Sequence, residues 1–241
     1  MDLGYASSDA AQIALVVQRE LEVRSTTLLT SESALDLLAT RNNIIRVVST
    51  LGRNSESASI IYFAGHGINV DGSFHLCPQD FDPRIPVHSA VRLSLLVELP
   101  LGHPTWSLLI VDACRVSLSS SMGRKILDEK TANGGGFLIS DNVCLFLSCS
   151  GGQRSFETPS IAGQQAGGVF THFLCKGLAA KRTRRGRLLL SKWFEQAQVD
   201  TATYVARTWG KQQTARAIGM NPGDVYLQRR QTTHVRGLEH E

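Results

Sequence analysis

Two residues of this 241-residue chain are of types that can do covalent chemistry together: His66 and Cys114, 48 positions apart. Each follows an apolar, β-rich run. Ser59-Ile60-Ile61-Tyr62-Phe63-Ala64 leads into Gly65-His66-Gly67, and Ser107-Leu108-Leu109-Ile110-Val111-Asp112 leads into Ala113-Cys114-Arg115. A thiol is a weak nucleophile until it loses its proton. An imidazole within reach can remove that proton and later give it to a leaving group, and a thiolate beside an imidazolium is the usual working state of such a pair. In open α/β sheets, sites form beyond the carboxyl ends of the strands, and His66 and Cys114 are both expected at such ends. If their strands are parallel neighbours, the two side chains share one rim. Gly67 has no side chain, so a bound backbone can approach it closely. The N–H groups of Gly67 and Cys114 could then face a developing oxyanion, donors worth roughly 3–4 kcal/mol of barrier each. A solitary histidine or cysteine is more often structural; the order, spacing and flanking glycines single this pair out.

The elements that must position them follow from periodicity. Apolar residues at Ala10, Ile13, Ala14, Val17 and Leu21 predict a helix from Asp9 to about Val23. Thr26-Thr27-Leu28-Leu29 reads as a short strand, and Ser33 to Leu51 as a second helix. Asn142-Val143-Cys144-Leu145-Phe146-Leu147-Ser148 is a third apolar run. Residues 168–178 and 189–208 look helical, and Asp224-Val225-Tyr226-Leu227 reads as a last short strand. Continuous apolar strands separated by helices mean a mainly parallel sheet covered on both faces, a three-layer α/β/α sandwich. Residues 1–227 form the expected domain, 115–141 an exposed loop rich in Ser, Gly and charge, and 228–241 a polar tail.

Composition narrows the function classes. Hydrophobic residues make up 42% and charged residues 19%, ordinary for a globular chain. No apolar run approaches the ~18 residues of a membrane span, and the N-terminus lacks the pattern of a secretion signal, so a cytoplasmic protein is expected. The net charge is +4, and Lys181-Arg182-Thr183-Arg184-Arg185-Gly186-Arg187 alone carries five positive charges. No broad basic field therefore points to nucleic acid; the run is a solvated loop or, as the alternative, a local nucleic-acid patch. Five cysteines with no CxxC pair argue against a disulfide framework or a zinc site.

The residues around His66 and Cys114 resemble the caspase-like peptidases: caspases, paracaspases, metacaspases and bacterial relatives. Tyr62-Phe63-Ala64-Gly65-His66-Gly67 and Asp112-Ala113-Cys114-Arg115 carry the likeness. It continues through Leu147-Ser148-Cys149-Ser150, Phe156-Glu157, Gly167-Gly168-Val169-Phe170-Thr171 and Asn221-Pro222-Gly223-Asp224-Val225-Tyr226-Leu227. The resemblance implies a cysteine endopeptidase working through a thioester, with His66 and Cys114 as catalytic dyad. Caspases carry Gln two residues before the nucleophile; Asp112 stands there instead, as in metacaspases, and Asp9 matches a second acidic position. Two carboxylates would pair with a cationic side chain, so the resemblance implies cleavage after Arg or Lys, with Asp9, Asp112 and Ser148 as substrate-binding residues. The alternative for Asp9 is an ordinary first-turn helix residue.

No organic cofactor is implied. Metacaspases often bind Ca²⁺, but Val91-Arg92-Leu93-Ser94 lacks the family's paired aspartates, and Asp80 and Asp82 are few for a shell of six to eight oxygens. The expected partners are protein or peptide substrates of a monomeric enzyme, with no membrane. The family begins with an apolar strand before the first helix, and here only Met1 to Ala6 precede it. That missing or shortened strand motivates a second reading, a caspase-like interaction domain without turnover. Arg124, Lys125 and Lys130 lie where relatives are processed, either as self-cleavage sites or as plain surface residues.

Overall fold

The computed structural model describes residues 4–51, 58–70, 72–99, 106–117, 142–161, 163, 166–180, 187–219 and 225–228, with main chain only for 115–117. Helix α1 (Ala6–Glu20) comes first, and no strand precedes it among the described residues. Helix α2 (Arg41–Thr50) starts where the Thr40 hydroxyl accepts from Asn43 N–H, an N-cap that satisfies a first-turn donor. The continuous helix expected from Ser33 is therefore interrupted: Leu35–Leu37 is a single 3₁₀ turn, and the chain is extended at Leu38 and Thr40. The strand expected at Thr26–Leu29 is not formed; just beyond it, Thr30 makes an isolated bridge to Leu38.

Strand β1 (Ser59–Val70) turns through Gly72, at φ +79°, into the antiparallel β2 (Ser73–Cys77). After α3 (Pro86–Ser89), strand β3 (Val91–Arg92) extends that edge before helix α4 (Leu93–Glu98). Strands β4 (Ser107–Ser117) and β5 (Val143–Leu147) follow, β4 parallel to both β1 and β5. Two short strands, β6 (Glu157–Thr158) and β7 (Gly167–Gly168), pair ahead of α5 (Val169–Ala180). Then come β8 (Arg187–Leu189), α6 (Leu190–Trp209), β9 (Arg216–Gly219) and β10 (Tyr226–Gln228). β9 closes the main sheet antiparallel to β5, giving the order β3-β2-β1-β4-β5-β9. The sheet is thus parallel at its centre, with antiparallel flanks that periodicity alone did not predict.

Alternation along β4 divides the core in two. Leu108 and Ile110 pack with Ile13 and Val17 of α1 and with buried residues of α5 and α6. Leu109, Val111 and Ala113 pack with Ile44 and Val48 of α2 and Leu93, Leu96 and Val97 of α4. These are the two helical layers expected of an α/β/α sandwich. The layers do not cover all strands equally. β5 is buried throughout, whereas Ile60 to His66 of β1 are only half-buried. The cause is topological: β2 pairs only with His66–Val70, so Ser59–Gly65 is paired on its β4 side alone among the described residues.

Candidate active site

His66 and Cys114 are register partners across β1 and β4. Adjacent strands lie about 4.8 Å apart, and partners in a parallel ladder project to the same face. Parity identifies that face. Ile60 and Tyr62 belong with the α1, α5 and α6 layer, while Ile61 and Phe63 pack against the other. Ala64, His66, Asp112 and Cys114 therefore share the α1, α5 and α6 side. The sequence placed His66 and Cys114 past the ends of their strands; instead both lie within them, since β1 runs on to Val70 and β4 to Ser117. The rim arises because β5 stops first. Its last partner is Leu147 opposite Val111, so β4 outruns it and bares Asp112 and Cys114 on that flank.

Gly67 has a different reason from the one expected. It faces away from this rim, and a methyl group there would lie 2.8 Å from the Cys114 carbonyl oxygen and against the Phe74 ring. The glycine admits Phe74 of the β1–β2 hairpin; room for a substrate is not what the position supplies.

Around Asp112 the site is built from side chains. Asp112 Oδ1 accepts from Ser155 Oγ at 2.5 Å, and Oδ2 from Thr171 Oγ1 at 2.7 Å and Thr171 N–H at 3.3 Å. Thr171 lies in the first turn of α5, so the carboxylate also meets the positive end of that helix. Having given its hydrogen to Asp112, the Thr171 hydroxyl accepts from Tyr62 O–H at 2.5 Å. Asp9, in the first turn of α1 and 2% exposed, takes the Gly168 N–H on both oxygens, at 3.1 and 2.9 Å. Gly168 packs between the two acids: an added methyl would stand 2.8 Å from Asp112 Oδ2 and 2.9 Å from Asp9 Oδ2.

Asp9, Asp112, Glu157, Ser155 and Gly168 line one narrow cleft with Cys114. Burial, with the charge of Asp112 beside it, pushes the Asp9 carboxyl up to about 7, against the lowering pull of the Gly168 N–H. Burial and Asp112 also raise Glu157. The Cys114 thiol is raised, chiefly by burial, and donates to the Ser155 carbonyl at 3.5 Å. Asp9 and Asp112, far apart in sequence, are thus brought together. Ser148 is not: it is 1% exposed, does not line the cleft, and its hydroxyl has no partner among the described residues. Sequence reasoning missed Glu157 as a cleft residue, although Phe156-Glu157 stood in the resembling pattern. It also missed Ser155, whose neighbourhood carries no signal beyond a polar turn.

The two carboxylates weighed as calcium ligands, Asp80 and Asp82, both have protein partners. Asp80 Oδ1 accepts the Arg41 N–H, and both oxygens of Asp82 are engaged by Arg84. Among the described residues no group of three His, Cys, Asp or Glu side chains is arranged to hold a metal ion. No helix among them is long and apolar enough to cross a membrane. The loop carrying Arg124, Lys125 and Lys130, the basic run at 181–186 and the tail beyond Gln228 lie outside the described residues.

A sheet with a parallel centre between two helical layers, carrying His66 and Cys114 as register partners beside an acidic cleft, is an α/β architecture with a candidate base and nucleophile on adjacent strands. The family model for the caspase domain matches residues 1–214. The chain belongs to this family of cysteine peptidases. Among solved structures it is similar to a structural-genomics crystal structure of a protein from Geobacter sulfurreducens, at 16% identity and a TM-score of 0.55, over 90% of this chain and 84% of that one. That likeness is one of fold. A search of curated proteins finds no match to the sequence.

Proposed function

We propose that the chain is a cysteine endopeptidase that cleaves peptide bonds after Arg or Lys. The observation that supports this most directly is the cleft itself: three carboxyl groups, two of them raised by burial, beside a thiol. Acids packed this closely repel one another, and a guanidinium or ammonium entering the cleft would relieve that repulsion. The planar fork of an arginine suits two carboxylates better than the point charge of a lysine.

In the proposed reaction His66 takes the Cys114 proton and the sulfur attacks the carbonyl carbon of the basic residue. A C–S bond forms, and the carbonyl electrons move onto oxygen, which the N–H groups of Gly67 and Cys114 hold. Collapse breaks the C–N bond, and the imidazolium protonates the departing amine. Water, deprotonated by His66, then cleaves the thioester and releases the carboxylate. Burial raises the Cys114 thiol, which is why the scheme gives removal of its proton to a base. No cofactor enters the scheme. All five cysteines are free thiols, which fits a reducing compartment such as the cytoplasm.

The test is hydrolysis of fluorogenic peptides ending in Arg, Lys or Asp, with Cys114→Ala as control. Turnover of Arg and Lys peptides that disappears in the variant supports the proposal; a preference for Asp peptides overturns it. One feature favours a second reading, a binding domain without turnover. The β1–β4 ladder continues through Gly67 and Cys114, engaging the strand segments whose N–H groups the oxyanion would need. That reading expects Arg peptides to bind and remain uncut.

A further inference from the structure

Ser155 touches both halves of the cleft, its hydroxyl on Asp112 and its carbonyl on the Cys114 thiol. It lies on the loop 148–156, which leaves the end of β5 and leads into β6. What fixes this loop is the segment 211–215 between α6 and β9. Gln213, 1% exposed, makes three hydrogen bonds there. Its Oε1 accepts the Phe156 N–H at 3.0 Å, and its Nε2 donates to the Ser148 carbonyl and to Ser155 Oγ, both at 3.1 Å. The Phe156 N–H fixes which end of the amide is oxygen. Next to it, Thr214 N–H donates to Gln153 Oε1 at 2.7 Å, and Ser150 Oγ donates to the Thr214 carbonyl at 3.0 Å.

The direction of these bonds matters. A serine hydroxyl has one hydrogen to give. Because Gln213 donates to Ser155 Oγ, that one hydrogen is aimed at Asp112. Two main-chain bonds would have sufficed to pin the loop; the third links a residue outside the cleft to its central carboxylate. We propose that Gln213 is a positioning residue, which acts through Ser155 to set the Asp112 carboxylate and the Cys114 thiol against each other. The proposal rests on the reading of the cleft given above.

Gln213→Glu keeps the size of the side chain and an acceptor for Phe156 N–H, but removes both donors and competes for the Ser155 hydrogen. Ser155→Ala removes the relay and leaves Gln213 in place. Each variant and the double variant are assayed for KM and kcat on Arg-ended peptides, with melting temperature as a check on folding. The expected result is a KM raised roughly tenfold in each single variant, the scale of one hydrogen bond to a charged group, a smaller change in kcat, and little further loss in the double variant. A second readout needs no turnover: the pH dependence of iodoacetamide alkylation at Cys114, followed by peptide mass spectrometry. With Asp112 less compensated, its charge opposes the thiolate more strongly, and the alkylation midpoint moves to higher pH in both variants. Folded variants with unchanged KM and an unchanged alkylation profile would falsify the role, as would losses that add fully in the double variant. If the wild type cuts no basic peptide, the cleavage reading fails by itself, and the alkylation midpoints alone decide for or against Gln213.

Discussion

The two halves of the candidate site, the His66–Cys114 pair and the acidic cleft beside it, are held by different kinds of bond. His66 and Cys114 are placed by main-chain register, as partners in a ladder that runs from Ser59 and Ser107 to Asn69 and Ser117. The acidic half is assembled from separate elements: Asp9 from α1, Asp112 from β4, Glu157 from β6, with Gly168, Thr171 and Ser155 supplying the hydrogen bonds. A ladder does not depend on which side chains it carries, so substitutions in the first half should alter chemistry and leave the fold alone. In the second half the side chains are themselves the scaffold, so substitutions there should give graded effects on recognition and stability together.

The largest expected effect tests the first half. Cys114→Ala should lower turnover of Arg peptides at least ~10³-fold, the scale on which removing a catalytic nucleophile acts, with a melting temperature within a degree or two of the wild type. A melting temperature that falls sharply would mean that the thiol also holds the Ser155 loop, and would erase the contrast. In the second half, Asp112→Asn should raise KM for Arg peptides roughly thirtyfold, about 2 kcal/mol of a charge-assisted contact, and should also lower stability. The amide cannot accept on both oxygens from Ser155 and Thr171 as the carboxylate does. A loss of activity confined to kcat would place Asp112 with the chemistry instead of with recognition.

The same contrast governs what could be read in advance. His66 and Cys114 were legible because each follows a continuous apolar run, Ser59–Ala64 and Ser107–Asp112, so that parallel pairing of the two runs brings them together. The strand ends were misread because Gly65 and Gly67 look like punctuation, whereas Ile68 to Val70 continue the strand to pair with Asn69 opposite Phe74 and Val70 opposite Ser73. The helix expected from Ser33 failed for a similar local reason. Apolar residues on both sides of Thr40-Arg41-Asn42-Asn43 read as one helix, whereas that polar break holds the true start, where the Thr40 hydroxyl caps Asn43 N–H. Asp9 came into view through family resemblance; nothing in its helix says that Gly168 will dock on it. Ser155 and Gln213 were not legible at all. They sit in short polar stretches without periodicity, 58 residues apart, and their roles exist only once the loop after β5 meets the segment before β9.

Titration should separate the halves further. The Asp9 carboxyl stands at about 7 in the folded chain against 3.8 for the free side chain. Its folded value is raised, so between those two pH values the folded state binds the proton that the unfolded state has lost. Stability must then fall as pH rises from about 4 to about 7, and level off above. Melting temperatures measured across that window should drop by several degrees in the wild type, and the drop should be smaller in Asp9→Asn. Equal slopes in the two proteins would show that Asp9 does not carry the strain of the cleft.

The smallest effect returns to the first half and asks whether its glycine serves packing or substrate. Gly67→Ala pushes a methyl toward the Phe74 ring and the Cys114 carbonyl. Phe74 is 3% exposed and has little room to retreat, so overpacking of about 1–3 kcal/mol is expected, a loss of a few degrees in melting temperature. Phe74→Leu made in the same chain removes the ring that the methyl meets, and should recover part of that loss even though it is destabilising alone. If Gly67 were needed only for a substrate to approach, the alanine variant would melt like the wild type and Phe74→Leu would rescue nothing. A recovered melting temperature without recovered turnover has its own meaning: the Cys114 carbonyl, which Phe74→Leu does not move, would still be displaced, and with it the Cα that carries the nucleophile's side chain.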